Sequence, residues 1–373
     1  MKEIYLDSAS TNSVYSEAVK FMNKFMKEEY GNPSSLHDLG EKALASLNNA
    51  RKILASGINA KPEEIIFTSG GTESNNLALF GLAGAYPFKN KIIISSIEHP
   101  SIIEPAKELE RRGYKIVKIP VNKKGLIDFE FLTKNLDNQT LLVSIMHVNN
   151  IIGSVQDIKK IGELCKNKKV FFHTDAVQSF GKINIDVNKM KVDLLSASAH
   201  KIGGPKGSGF LYVKKGVKIK QIIYGGGQER DLRSGTENVP GIMGFSKAFE
   251  IYKGINKEKI KKSRDALMKE IERLGFKING DIKERMWNNI HITFPINREI
   301  VVLALSAKRI YISTGSACDS KRDREDHVLR EIGLSKKEQE GSVRITLPRE
   351  LTKKEITKII KVIKEIIQDN IIR

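Results

Sequence analysis

The chain contains 373 residues, of which 40% are hydrophobic and 29% charged, and its formal net charge is +19. This length suffices for one large domain and a smaller one, and the composition is that of an ordinary globular protein. No apolar run approaches the roughly 18 residues of a membrane helix, and two cysteines, Cys165 and Cys318, are too few for a disulfide framework. We therefore expect a reducing, cytoplasmic location.

The excess of positive charge would suit an acidic partner through long-range attraction. The lysines are spread along amphipathic helical patterns at residues 255–274 and 352–372 instead of forming one dense block. This spacing does not favour a dedicated nucleic-acid surface. We expect neither direct nucleic-acid binding nor membrane association.

Short apolar segments recur from residue 65 to residue 213, as is typical of buried parallel strands. Strands are predicted at residues 65–68, 92–94, 116–119, 141–145, 170–172, 192–195 and 209–213, and helices at residues 73–81, 102–112 and 158–166. This alternation predicts an α/β domain whose active site lies at the carboxyl ends of the strands. Basic amphipathic helices after about residue 251 predict a second domain, joined by a short amino-terminal strand within residues 1–7.

A glycine turn between the first of these strands and its helix is a candidate anion site. Gly70 and Gly71 precede Thr72, so free backbone amides at a helix amino terminus would face an anion together with a hydroxyl group. Alone, such a turn is weak evidence. Ser198 and His200, further along the chain, could donate hydrogen bonds to the same anion, such as the phosphate group of a cofactor.

Lys201 follows these residues and precedes a glycine-rich turn, with apolar runs on both sides. An amine in this position can be desolvated and made nucleophilic, as Schiff-base chemistry on an aldehyde cofactor requires. The alternative is a solvated surface lysine. The other motifs favour the first interpretation, because they supply a partner for each part of pyridoxal 5′-phosphate.

Four further residues are candidates for contact with the cofactor ring or the substrate. Asp175 ends a predicted strand and could hold a protonated pyridine nitrogen, and Gln178 could donate to the phenolic oxygen. His99 could stack on the ring and carry protons, and Asn149 could contact the ring oxygen or a substrate carboxylate. A helix cap for Asp175 and a structural role for His99 remain alternatives.

Cys318 lies in a small, polar segment and is followed by charged residues, including Lys321 and Arg322. Such surroundings favour the thiolate, so Cys318 is the predicted nucleophile. Cys165 lies on the apolar side of a predicted helix and is interpreted as a packing residue.

Taken together, these motifs resemble those of the pyridoxal-phosphate-dependent cysteine desulfurases, which belong to the fold-type I, class V aminotransferase superfamily. The matching segments are residues 6–11, 31–37, 68–76, 98–100, 147–150, 175–178, 198–201, 225–230, 233–238 and 315–318. They keep the family's order and cover nearly the whole chain. The Gly-Ser-Ala-Cys loop resembles the group with a long, mobile cysteine segment.

The resemblance implies a large domain over residues 12–252 with a mostly parallel seven-stranded sheet. Residues 1–11 and 253–373 would form a smaller α+β domain that carries the cysteine loop. It also implies a homodimer, in which Thr236 of one subunit reaches the phosphate bound by the other.

The resemblance also assigns roles to individual residues. Lys201 would bind the cofactor as a Schiff base, His99 would stack on the ring, and Arg344 would bind the substrate carboxylate through its two-pronged guanidinium. The remaining implied contacts to the cofactor come from Gly71, Thr72, Asn149, Asp175, Gln178, Ser198 and His200. No metal ion is expected.

The implied reaction removes sulfur from L-cysteine, giving L-alanine and a persulfide on Cys318. The sulfur would pass to an acidic or thiol-bearing acceptor such as an iron–sulfur scaffold, or serve tRNA thiolation. The alternatives are a selenocysteine lyase or another class V enzyme, such as an aminotransferase, and a non-catalytic sulfur-relay scaffold.

The chain departs from the family pattern in three places. Ile151 stands where glutamate is common, serines replace alanine or threonine within residues 6–11, and charged residues follow Cys318 from Asp319 onward. None of these removes a catalytic group. The third bears on the choice of sulfur acceptor.

Overall fold

The computed structural model describes residues 3–315 and 326–371. From the amino terminus, the elements are β1 (Ile4–Tyr5), α1 (Ser16–Lys27), α2 (Asp38–Ser56), β2 (Ile65–Thr68), α3 (Gly71–Ala85), β3 (Lys91–Ser95), α4 (Pro100–Arg111), β4 (Lys115–Ile119), α5 (Phe129–Asn135), β5 (Thr140–Ser144), α6 (Ile158–Asn167), β6 (Phe171–Asp175), β7 (Leu194–Ser198) and β8 (Gly209–Val213). They continue with α7 (Gln228–Asp231), α8 (Val239–Lys253), α9 (Lys257–Arg273), β9 (Lys277–Ile278), β10 (Asn289–Thr293), α10 (Arg298–Ala307), β11 (Ile310–Tyr311), α11 (His327–Glu331), α12 (Lys336–Glu340), β12 (Ser342–Thr346) and α13 (Lys353–Ile371). Within these ranges, no helix combines the length and apolar character needed to cross a membrane.

A seven-stranded sheet in the order β2-β8-β7-β6-β5-β3-β4 forms the centre of the fold. Strands β7, β6, β5, β3 and β4 run parallel, whereas β8 is antiparallel to both of its neighbours. The predicted mostly parallel α/β sheet is therefore confirmed. The carboxyl ends of β2, β3, β5, β6 and β7 meet at one edge, which is where ligands bind in sheets of this kind.

Both faces of the sheet are buried, which explains why its strands are continuously apolar. Successive side chains of a strand point to opposite faces. Phe67 and Phe210 accordingly join one hydrophobic cluster, while their neighbours Ile66 and Leu211 join another. Helices cover each cluster, so a polar side chain inside the sheet needs a hydrogen-bond partner there.

Strand β7 extends further than the apolar pattern predicts, through Ser196, Ala197 and Ser198. Ser196 is buried because its hydroxyl group bonds to Nε2 of His173 at 3.0 Å, and Nδ1 of the same ring bonds to Ser144 at 2.8 Å. Burial lowers the pKa of His173 to about 3, so the ring is neutral and can donate to one serine and accept from the other. Cross-strand hydrogen bonds thus allow small polar residues inside the sheet.

A third large cluster lies in the carboxyl-terminal part of the chain, around the antiparallel sheet β12-β10-β9. Strand β1 pairs in parallel with β11, and Leu6 is fully buried in this cluster. The predicted amino-terminal strand and the two predicted basic helices (α9 and α13) are confirmed. We propose that the boundary between the two domains lies near residue 252, where α8 is followed by α9.

Segment α7 is a left-handed turn, with positive φ angles of 47°, 61° and 60° at Glu229, Arg230 and Asp231. Such angles are costly for residues with side chains. The turn is held by a buried ion pair, in which the Arg51 guanidinium donates to both carboxylate oxygens of Glu229 at 2.7 and 2.6 Å. Glu229 also accepts a hydrogen bond from the backbone amide of Phe67 in β2.

We predict that Arg51→Met lowers the free energy of unfolding by about 3 kcal/mol, because it leaves the Glu229 carboxylate buried without its counter-ion. Urea denaturation of the purified protein measures the change. Lys134→Met is the matched control, since Lys134 pairs with Glu130 on an exposed helix and should contribute less than about 0.5 kcal/mol. Equal losses in the two variants would contradict the role given to the buried pair.

Candidate active site

A cavity of about 270 Å³ opens at the edge where the carboxyl ends of the strands meet. The sequence-predicted residues that line it are Gly71, Thr72, His99, Asp175, Gln178, Ser198, His200 and Lys201. They come from the last residues of β6 and β7 and from the segments that follow β2, β3, β6 and β7, so the sheet brings together residues that lie far apart in the sequence.

One end of the cavity is the amino terminus of α3. The first intrahelical hydrogen bond runs from the amide of Ser74 to the carbonyl of Gly70, so the preceding amides can face an anion. Gly70 has a φ of 149°, which L-residues with side chains rarely adopt. A Cβ on Gly71 would come within 2.5 Å of Val177 Cγ2, so this approach requires glycine.

Lys201 lies in a short 3₁₀ turn, Ala199–Ile202, directly after β7. Its Nζ donates to the carbonyl oxygens of Ala9 and Ser10, each at 2.7 Å. Asn12 bonds to the backbone carbonyl of Lys201 at 2.9 Å. The amino-terminal segment therefore fixes both the backbone and the amine of this lysine.

Asp175 is part of a hydrogen-bonded chain across the cavity wall. Its Oδ2 accepts from Asn75 Nδ2 at 2.7 Å, and its Oδ1 accepts from the amide of Val177 at 2.9 Å. Asn75 also donates to the hydroxyl group of Ser101 at 2.8 Å, which lies 2.7 Å from His99 Nδ1. The two side chains predicted to contact the ring are thus connected through Asn75 and Ser101.

His99 is the amino-terminal cap of α4, and its Nδ1 accepts from the backbone amide of Ser101 at 3.1 Å. A ring nitrogen that accepts from a backbone amide carries no proton, so the neutral ring holds its proton on Nε2. The cap fixes the tautomer as well as the position of the ring. The contact of His99 with the cofactor stays a prediction, and it would be made by a ring whose tautomer the cap has fixed.

Glu98, next to His99, is fully buried. Its Oε1 accepts from the Ser95 hydroxyl group and from the amide of Met146, both at 2.8 Å. Burial, together with the nearby charge of Asp175, raises the pKa of Glu98 to about 8. Glu98 is therefore a neutral carboxylic acid at pH 7.

His200 is also neutral. Burial, followed by the charges of Lys201, Lys206 and Lys182, lowers its pKa to about 3. Its Nδ1 lies 3.2 Å from the hydroxyl group of Thr11. When Thr11 donates to Nδ1, the other ring nitrogen carries the proton and can donate to a phosphate oxygen.

Asn149 does not line the cavity. Its Oδ1 accepts from the amides of Ile151 and Ile152, and its Nδ2 donates to the carbonyl of Ile97. The amide thus shapes the loop after β5, and the next residue, Asn150, faces the cavity. The predicted contact of Asn149 with cofactor or substrate stays a prediction.

Arg344 lies in β12, is almost fully buried and is not among the lining residues. Its guanidinium donates to Asp7 Oδ1 and the Ser10 hydroxyl group at 2.7 Å, and to the carbonyls of Asn150 and Gly315 at 2.8 Å. Its assignment to the substrate carboxylate also stays a prediction, and it requires Arg344 to exchange some of these partners.

Two predicted residues lie elsewhere. Thr236 is exposed and does not contact this cavity, which is compatible with the expected contribution to a second subunit. Cys318 lies outside the described residues. The other cysteine, Cys165, is fully buried in α6, and burial raises its pKa to about 12, as a packing residue requires.

Ile151, one of the departures from the family pattern, belongs to an apolar cluster with Ile97, Val328 and Leu329. The last two residues lie in α11, which follows the cysteine segment. A Cβ on Gly315, just before that segment, would lie 3.4 Å from Ile151 Cγ2. Ile151 therefore lies close to Gly315, which precedes residues 316–325, and to the apolar residues of α11, which follows them.

The cavity fits pyridoxal phosphate by the chemistry of its donors. The helix amino terminus suits the phosphate, the Lys201 amine suits the aldehyde, and Asp175 suits the ring nitrogen. Within the described residues, the buried Asn75 Oδ1 has no hydrogen-bond partner, so this wall retains an unused acceptor. The volume is close to the lower end, about 300 Å³, of small-molecule pockets.

Comparison with known proteins agrees with this geometry. The sequence profile described as "Aminotransferase class-V" matches residues 4–359. The chain is 43% identical to "Cysteine desulfurase IscS" of Methanosarcina thermophila over 98% of this chain and 92% of that relative. It is 42% identical to the protein of the same name from Dictyoglomus turgidum, over 98% and 95% of the two chains. The chain belongs to the class V aminotransferase family, and within it to the cysteine desulfurases.

Solved structures of this family have the same fold. A "NifS-like protein" superposes with a TM-score of 0.93 at 37% identity, over 98% of this chain and all of the other. "SspA in complex with cysteine" superposes with a TM-score of 0.85 at 36% identity, over 94% of this chain and all of the other. The predicted fold-type I architecture is confirmed, and the family is one of pyridoxal-phosphate-dependent enzymes.

Sequence reasoning did not assign a role to six residues that line the cavity, Ser10, Asn75, Ser101, Met146, Asn150 and Val177. Asn75 lies one helical turn after Gly71, so the period of α3 could have placed it on the same face as the anion site. The contact between Asn75 and Ser101 joins two helices, and no local pattern signals it.

We predict that Glu98→Gln becomes progressively more stable than the original protein as the pH rises from about 4.5 to 8. Over this range the folded protein keeps the Glu98 proton and the unfolded chain has lost it, so the original protein loses stability with rising pH. The difference in unfolding free energy should grow by on the order of 1 kcal/mol per pH unit. Urea denaturation at several pH values measures it, and a constant difference would mean that Glu98 ionises normally.

Proposed function

We propose that this chain removes sulfur from L-cysteine with bound pyridoxal phosphate, giving L-alanine and a persulfide on Cys318. The observation that carries the proposal is the convergence of Lys201, Asp175 and the amino terminus of α3 on one cavity. Each of the three suits a different group of the cofactor. The relative solved in complex with cysteine supports the choice of substrate.

The bound cofactor would supply an electron sink for the carbanion formed at the substrate Cα. Lys201 would hold the cofactor and, once replaced by the substrate amine, would take the Cα proton on its Nζ. The carbonyls of Ala9 and Ser10 already orient that nitrogen. Asp175, oriented by Asn75 and Val177, would keep the ring nitrogen protonated.

The substrate carboxylate would be bound by Arg344. In the structure the guanidinium donates to Asp7 and to Ser10, and Ser10 itself lines the cavity. A substrate carboxylate could replace the Ser10 hydroxyl group while Asp7 keeps the guanidinium in place. Planar Arg–carboxylate geometry would then orient the substrate.

The sulfur would leave by attack of the Cys318 thiolate on the substrate sulfur atom. The new S–S bond forms as the substrate C–S bond breaks, its electron pair stays with the substrate carbon, and that carbon is later protonated. The cationic residues that follow Cys318 in the sequence, including Lys321 and Arg322, favour the thiolate. The persulfide keeps the sulfur reactive for transfer to a second thiol.

We propose a cytoplasmic homodimer in which Thr236 reaches the phosphate site of the partner subunit. Thr236 and Tyr224, which is 76% exposed, lie in the segment around the left-handed turn. The buried Arg51–Glu229 pair gives this exposed segment a fixed form suited to such a contact. The high positive charge suits an acidic, thiol-bearing sulfur acceptor, serving iron–sulfur assembly or tRNA thiolation.

We predict that Cys318→Ala abolishes the release of alanine and sulfide from L-cysteine, because no thiolate then accepts the sulfur. Alanine and sulfide are measured on cofactor-loaded protein, with and without a reductant. Cys165→Ala is the matched control and should keep full activity, since its thiol is buried and protonated. In the original protein, sulfide release should require the reductant.

Alanine formation that survives Cys318→Ala would contradict the assigned nucleophile. A visible absorption band without any turnover of cysteine would instead favour a selenocysteine lyase or another class V enzyme. Absence of the band would favour a scaffold that does not bind the cofactor.

A further inference from the structure

Lys182 is a buried lysine that the proposed reaction does not use. It lies in the turn after β6 and is only 3% exposed. Its Nζ donates to Gln178 Oε1 at 3.3 Å, and across residues 3–315 and 326–371 no carboxylate lies within ion-pair distance of it. The other well-buried lysine, Lys91, instead pairs with Asp137 at 2.8 Å.

The environment of Lys182 opposes a positive charge. Burial, with the charges of Lys201 and Arg344, lowers its pKa to about 7. The charged groups that act on it are Lys201 from the turn after β7 and Arg344 from β12, and Lys182 in turn acts on His200. A methionine of similar length would fill this position without the cost of burying an amine. Packing alone therefore does not explain why a lysine is found here.

The contact with Gln178 supplies such a reason. Gln178 Nε2 donates to the carbonyl oxygen of Ala9 at 2.9 Å, and a carbonyl can only accept. Its Oε1 faces the amine of Lys182, which donates in both of its protonation states. These two contacts fix the orientation of the amide, with Oε1 toward Lys182 and Nε2 toward Ala9. One N–H of Nε2 donates to Ala9, and the second N–H is left for another acceptor.

The same Ala9 carbonyl also accepts from Lys201 Nζ at 2.7 Å. A continuous hydrogen-bonded chain therefore runs from Lys182 through Gln178 and Ala9 to Lys201. Gln178 and Lys201 both line the cavity, whereas Lys182 lies behind them. Lys182 can act on the reaction only through this chain or through its charge.

We propose that Lys182 is a positioning residue, which holds Gln178 Oε1 so that Nε2 keeps its contact with the Ala9 carbonyl and can donate its second N–H to the phenolic oxygen of the bound cofactor. The inference rests on the proposed function of the cavity. With the cofactor bound, a donor from Gln178 at that oxygen would compete with a proton held between the oxygen and Lys201. Loss of the donor should therefore make the bound cofactor hold this proton more tightly.

The test is the pH dependence of the visible absorption band of the cofactor-loaded protein. In Lys182→Met, the pH midpoint of the band should rise by about one unit, the size expected for one lost hydrogen bond. Gln178→Met should raise it similarly. The double variant should show the shift of Gln178→Met alone, because Lys182 then has no amide to orient.

Lys91→Met is the matched control. It also replaces a buried lysine, at the amino-terminal end of β3 and so at the opposite edge of the sheet from the cavity. It should lower stability and leave the midpoint unchanged. If Lys182→Met does not fold, Lys182→Gln, whose side chain is too short to keep the contact, should give the same upward shift.

An unchanged midpoint in folded Lys182 variants would overturn the proposal, as would shifts that simply add in the double variant. The absence of a visible band in the original protein would have a different meaning. It would overturn the proposed cofactor, and this inference with it.

Discussion

The constraint on which the structure depends is the burial of both faces of the central sheet. Phe67 and Ile66 point into separate hydrophobic clusters, and the other strands alternate in the same way. Because neither face of the sheet can accept charged groups, the charged and polar side chains that could bind a ligand lie at the edge where the strands end. The loops after β2, β6 and β7 supply an anion site, a carboxylate and an amine there, and no local sequence segment contains all three.

Much of the fold could be predicted from the sequence, because long apolar strands and amphipathic helices leave periodic patterns. The end of β7 could not, since Ser196 is stabilised inside the sheet by His173 from a neighbouring strand. The same limit applies to the site. Asp175 and Lys201 stand out beside their motifs, whereas the contact of Asn75 with Asp175 joins residues that lie 100 positions apart in the sequence.

Two carboxyl groups lie close together in the wall of the cavity and have different surroundings. Glu98 is neutral because it is fully buried and lies near Asp175. Asp175 accepts hydrogen bonds from Asn75 Nδ2 and from the amide of Val177, which orient its carboxyl group. In the proposed complex, Asp175 would pair with the ring nitrogen, whereas Glu98 is held by Ser95 and the amide of Met146 away from that role.

The contacts of the amino-terminal segment have a consequence for the order of folding. Ala9 and Ser10 orient Lys201. Their own segment is held by backbone hydrogen bonds to Tyr311 and Thr346, so it cannot take its final position until those later residues have been synthesised. During synthesis the large sheet can form long before these contacts exist. We expect the nascent chain to form a native-like sheet while Lys201 is still unoriented. The ability to bind the cofactor would then arise in one late step, when β11 and β12 pair with the beginning of the chain.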